Sequence, residues 1–109
     1  MLQSIAENDL RQLEKLLKQG FNTSTVIDTS QLYNAVTLAC HLDRLEALHL
    51  LDMYGADLEK GYGKFQNTAL MTALAKWNVR IIDYLIERGV DPFVTDKFGF
   101  TARKKAEIR

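Results

Sequence analysis

Residues 68–91 read TALMTALAKWNVRIIDYLIERGVD, and this stretch decides the fold. Two short helical patterns run back to back in it. Leu70, Ala73 and Leu74 form one apolar stripe; Val79, Ile82, Leu85 and Ile86 form a second at helical spacing. Gly89 follows the last apolar turn, where a left-handed helix cap wants a residue without Cβ. Pro92 stands just beyond, where a helix cannot continue.

The pattern recurs upstream. Gly20, Gly55 and Gly89 each close a helical segment, at spacings of 35 and 34 residues. Before them stand Leu13-x-x-Leu16-Leu17, Leu48-x-x-Leu51 and Ile82-x-x-Leu85-Ile86. Ala56-Asp57 and Val90-Asp91 follow the last two glycines. Periods of this size mark solenoids, in which each unit buries its apolar face only against its neighbours.

With that register on the page, the chain resembles an ankyrin-repeat protein. The family's unit of ~33 residues is a turn and two helices with the signature T-P-L-H-x-A. Thr68-Ala69-Leu70-Met71-Thr72-Ala73 matches it at Thr, Leu and the second Ala, and Asn34-Ala35-Val36-Thr37-Leu38-Ala39 is a weaker copy. Asp96-Lys97-Phe98-Gly99-Phe100-Thr101-Ala102 is similar to the family's D-x-x-G-x-T-P lead-in. The resemblance implies an all-α, ankyrin-repeat solenoid of stacked helix-turn-helix units with capping repeats. It forms one domain over residues 1–109, with units of about 2–29, 30–63, 64–96 and 97–109. In the first unit Ile5, Ala6, Leu10, Leu13, Leu16 and Leu17 line one side. In the second, helices are expected near Gln31–His41 and Leu45–Tyr54. Asp52 stands there where its counterparts are Leu17 and Ile86. Either Met53 fills the gap or the helix end is loose, because an unpaired buried carboxylate is costly. Tyr54 and Tyr84, on second helices, are expected between units.

Composition sets the outer limits. The chain has 109 residues, is 47% hydrophobic and has no net charge, which suits one folded domain. Residues 1–59 hold 4 basic and 9 acidic side chains, and residues 60–109 hold 10 basic and 5 acidic. An elongated stack would therefore have an acidic and a basic end, able to steer an oppositely charged partner or to favour head-to-tail self-contact at low salt; the alternative is two solvated surfaces of opposite sign, so a monomer or weak self-association is expected. No apolar run approaches the ~20 residues of a membrane span, and no signal-peptide core opens the chain. Cys40 is the single cysteine, so no intrachain disulfide can form. A cytoplasmic location is the expectation.

Catalytic and metal signatures are missing from the pattern. Cys40, His41 and His49 do not have the three or four converging ligands of a metal site at recognisable spacing. Gly61-Tyr62-Gly63 is a fragment of a phosphate loop, without the full glycine set or a following Gly-Lys-Ser/Thr. Arg103-Lys104-Lys105 is too small a basic footprint for nucleic acid. The expectation is no enzyme, no cofactor and no metal.

What remains is a binding surface. The family's architecture implies that partners lie on the concave side, on the loops and first helices. Projected residue by residue, it includes Gln31, Tyr33, His41, Lys64, Phe65, Lys76, Trp77, Lys97, Phe98 and Phe100. Aromatic and basic side chains on loops are common interface anchors. Each ring has a second reading, in which it seals its own loop or caps the core. Trp77 sits in a turn where the family prefers glycine. Lys64, Lys76 and Lys97 would bias encounters toward an acidic protein surface. The functional expectation is a non-catalytic protein-binding module acting as a stand-alone inhibitor or immunity-type protein. The alternatives are an adaptor fragment of a larger ankyrin protein, or a small metal-binding protein or enzyme using Cys40 and His41.

Overall fold

The computed structural model describes residues 2–20, 34–59, 67–99 and 101. Helix α1 spans Leu2–Ala6, α2 Leu10–Lys18, α3 Ala35–His41, α4 Leu45–Met53, α5 Ala69–Lys76 and α6 Val79–Glu87. Among the described residues all regular structure is helical, and Thr95 pairs with Thr101 in an isolated bridge. Consecutive helices form hairpins. The first helices make a row in which α3 packs against both α1 and α5, and α2 packs against α4. Small buried residues (Ala35, Ala39, Cys40, Ala69 and Ala73) let that row close up.

Local chemistry sets both ends of each hairpin. Asn34 caps α3 in extended backbone: its Oδ1 accepts from the Thr37 N–H at 2.9 Å, and Thr37 Oγ1 accepts from the Asn34 N–H at 2.8 Å. Thr68 caps α5 in the same way, its Oγ1 accepting from the Met71 N–H. The first helices end on left-handed Asn8, Asp43 and Trp77, and the second helices on left-handed Gly20, Gly55 and Gly89. Beyond each of the first set, the amides of Asp9, Arg44 and Asn78 reach back to the carbonyls of Ser4, Ala39 and Ala73. Asparagine and aspartate tolerate this conformation, whereas a bulky side chain there is an outlier.

Hydrogen bonds in the same register join the hairpins. Arg44 donates from Nε to the Ile5 carbonyl and from Nη2 to that of Ala6 at 3.0 Å. One repeat later Asn78 Nδ2 donates to the Cys40 carbonyl at 2.6 Å. Helices α1 and α3 thus have C-terminal carbonyls satisfied by the next layer.

Four sequence expectations need correction. The stripe of α6 was placed on Val79, Ile82, Leu85 and Ile86, but Ile81 and Leu85 are buried, Ile82 is half-buried, and Val79 and Ile86 are exposed. A solenoid helix meets neighbours on two sides, so a single stripe misplaces the wheel. Asp52 is not loose: Tyr84 Oη donates to its Oδ2 at 2.6 Å and Arg88 Nε at 2.7 Å. Met53 fills no gap and points to water, because the α6 side chains already cover Asp52. Tyr54 is exposed at the end of α4, past the last turn that packs; Tyr84 does lie between units. The helix expected from Gln31 is described from Ala35, after its Asn34 cap, and Gln31 to Tyr33 lie outside the described residues.

Candidate partner-binding face

The first-helix row presents two edges. Its N-terminal edge is marked by the capping residues Asn34 and Thr68. Lys97 and Phe98 lie in the turn between the bridge partners Thr95 and Thr101. Asp96 anchors that loop through its Oδ1, which accepts from the Phe98 N–H at 2.9 Å. Gly99 takes a positive φ of 83° in the turn. Lys97 is exposed, and Phe98 is 62% exposed.

His41, Lys76 and Trp77 lie at the C-terminal edge, where α3 and α5 turn into their second helices. His41 is half-buried. Burial holds its pKa below the usual 6.5, and the Lys76 cation adds to that. The two side chains therefore feel each other across the repeat boundary. Trp77 is 63% exposed, with φ 55° and ψ 41°. The structure thus divides the expected site. Lys76 acts on His41 and precedes Trp77 directly, while Lys97 and Phe98 lie in a separate turn between Thr95 and Thr101. Gln31, Tyr33, Lys64, Phe65 and Phe100 lie outside the described residues, as do Gly61 to Gly63 and Arg103 to Lys105.

Cys40 is buried, and burial pushes its thiol well above the usual value, away from the thiolate that metals and electrophiles need. Among the described residues no three His, Cys, Asp or Glu side chains converge as metal ligands.

Sequence reasoning missed a polar chain on the second helices. His49 Nδ1 lies 3.1 Å from Tyr84 Oη, with the rings edge to face at 5.9 Å. The Tyr84 hydroxyl proton goes to Asp52, so His49 Nδ1 carries the hydrogen in its contact with the phenol. Burial, followed by the bond to Asp52 and its negative charge, raises the Tyr84 pKa to about 12. A signal was present in the sequence: an acid at an apolar repeat position, answered by Tyr84 and Arg88 on the next second helix. Beside this chain a groove of about 530 Å³ is lined by Leu10, Leu45, Leu50, His49 and Tyr84, together with Glu14 and Glu46.

Residues 65–97 match the family model for the ankyrin repeat. It is an ankyrin-repeat protein. The chain is also 31% identical over 100 residues to Palmitoyltransferase AKR1 of Lachancea kluyveri, a match covering 86% of this chain and 13% of that protein. The ankyrin-repeat chain therefore spans a small part of its relative. Ankyrin repeats are protein-interaction modules and are generally non-catalytic. Among the described residues no helix of this one is long and apolar enough to cross a membrane.

Proposed function

We propose that this ankyrin-repeat domain binds one partner protein across its first-helix row. Trp77 with Lys76 and His41 grips one edge, and Phe98 with Lys97 grips the other. Gln31, Tyr33, Lys64, Phe65 and Phe100 continue the loop edge in this reading, which keeps the units of about 2–29, 30–63, 64–96 and 97–109. Three lysines favour an acidic partner surface. The domain acts in the cytoplasm, either as a stand-alone blocker of one enzyme or as an adaptor segment.

The observation that supports this most is Trp77. Its counterparts are Asn8 and Asp43, residues suited to a left-handed turn. A tryptophan there costs roughly 1–2 kcal/mol of backbone strain and leaves most of a large ring in water. Nothing in the scaffold needs that ring, whereas a partner would gain a rigid apolar anchor.

Trp77→Gly tests this directly, because glycine suits the backbone and removes only the anchor. A partner captured from the source cell and identified by mass spectrometry would be titrated by calorimetry against wild type and the Trp77→Gly, Phe98→Ala double variant. Affinity should fall at least ~30-fold, the loss of one hot spot, with stability within about 1 kcal/mol of wild type. Unchanged affinity would remove both rings from the site. A single stoichiometric enzyme among captured proteins supports the blocker, and several weak partners support the adaptor.

A further inference from the structure

The second helices repeat a contact whose copy on α6 is exposed among the described residues. Shifting α4 and the segment after it forward by 34 residues places Leu45 on Val79, Asp52 on Ile86 and Glu59 on Phe93. Asp52 and Glu59 both reach the following layer. Asp52 takes Tyr84 and Arg88, and Glu59 Oε1 accepts from the Asp91 N–H at 3.1 Å. Leu45 lines the same groove as Tyr84. In the last layer these three positions hold Val79, Ile86 and Phe93, which are 50%, 58% and 77% exposed. The helical wheel agrees. Tyr84 and Arg88 point at α4, Ile81 and Leu85 point at the first helices, and Val79 and Ile86 lie opposite Tyr84 and Arg88. The outer face of α6 is therefore a layer-to-layer surface, made apolar where the preceding layer is charged.

The opposite end of the stack does not match it. There α2 exposes Arg11, Lys15 and Gln19, so head-to-tail stacking would set a basic, polar face against an apolar one. The α6 row fits a second α6. With two such helices antiparallel, Val79 of each meets Ile86 of the other, and half-buried Ile82 lies between them. Arg80 and Glu87 flank the row at its two ends on its outer edge, since they stand seven residues apart on one side of the wheel. Antiparallel pairing brings each Arg80 opposite Glu87 of the other copy. Neither is in an ion pair among the described residues.

We propose that a second copy of this chain docks on the outer face of α6, related to the first by two-fold symmetry. The apolar row supplies the contact, and two Arg80–Glu87 pairs fix its direction. A helix of nine residues is about 13 Å long, well short of the ~800 Å² per partner of standard interfaces. The dimer is therefore weak and concentration-dependent. This surface is separate from the first-helix face proposed above.

Sedimentation equilibrium of the 109-residue chain between ~5 and ~500 μM tests it, the range in which a contact of this size assembles. A monomer–dimer equilibrium is expected. Ile86→Asp, which restores the residue of the inner layer, should leave a monomer with an unchanged melting temperature. Arg80→Glu and Glu87→Arg should each abolish dimerisation, and their combination should restore it. A wild type that stays monomeric throughout overturns the proposal and assigns the face to another protein's helix or a further layer. Masses rising beyond the dimer overturn it in favour of head-to-tail stacking. Dimerisation unaffected by these substitutions overturns it by placing the contact elsewhere.

Discussion

At Asn34 the backbone and the side chain ask for different things. The cap needs an acceptor in extended backbone, and Asn34 Oδ1 supplies it to the Thr37 amide. The amide nitrogen of the same side chain is buried with no hydrogen-bond partner. A stranded buried donor costs about 1–3 kcal/mol. Thr68 fills the matching position one repeat later with a hydroxyl that caps equally and strands nothing. Asn34→Thr should therefore raise stability by about 1 kcal/mol, a few degrees in thermal unfolding followed by circular dichroism. No change or a loss would mean that Nδ2 has a partner in solution. The sequence showed Asn34 as a departure from the signature threonine. The stranded nitrogen could not be read there, because it depends on how tightly α3 is enclosed.

At the scale of the helices, the lengths and ends were legible because caps and left-handed turns are local. Gly55 and Gly89 follow α4 and α6, and the positive φ of all three glycines matches what the spacing demands. The contacts between second helices were not legible, because they depend on which of two neighbours a residue faces. Asp52 looked like a fault in one helix and is the centre of a bridge between two. That bridge predicts a pH response. Tyr84 titrates near 12 in the fold and near 10 when unfolded, so the unfolded chain releases this proton first. Its contribution is intact below pH 10 and is lost as pH rises toward 12. Tyr84→Phe removes this slope and also the bond to Asp52. The variant should be less stable by about 1 kcal/mol at neutral pH, a gap that narrows above pH 10. Urea titrations of both proteins at pH 7 and 10.5 measure the difference. A constant gap would show that the phenol is not held by Asp52.

Across the whole molecule, the candidate site was only partly readable. The family register singled out Trp77 and Phe98, but only the backbone shows that Trp77 occupies a left-handed turn and that Phe98 is exposed in a separate one. The stack itself is one-dimensional: each pair leans on the next through Arg44, Asn78 and the Asp52 bridge. The three pairs among the described residues sit near the minimum for such a stack, so a lost layer should bring down the rest. Leu85 and Ile86 test this side by side, since both stand in one apolar stripe and the fold separates them. Leu85 is fully buried, so Leu85→Ala should cost ~2–5 kcal/mol, a large part of a total near 5–15 kcal/mol. Ile86→Ala, on the exposed face, should change stability by less than ~0.5 kcal/mol in dilute solution. Trp77 is the single tryptophan and reports on the third pair, while circular dichroism reports on all helices. If the stack is cooperative, the two signals melt together in Leu85→Ala, at one lowered temperature. A tryptophan transition well below the helical one would instead mean that the last pair peels away alone, and that the bridges through Asn78 and Asp52 are too weak to couple it to its neighbours.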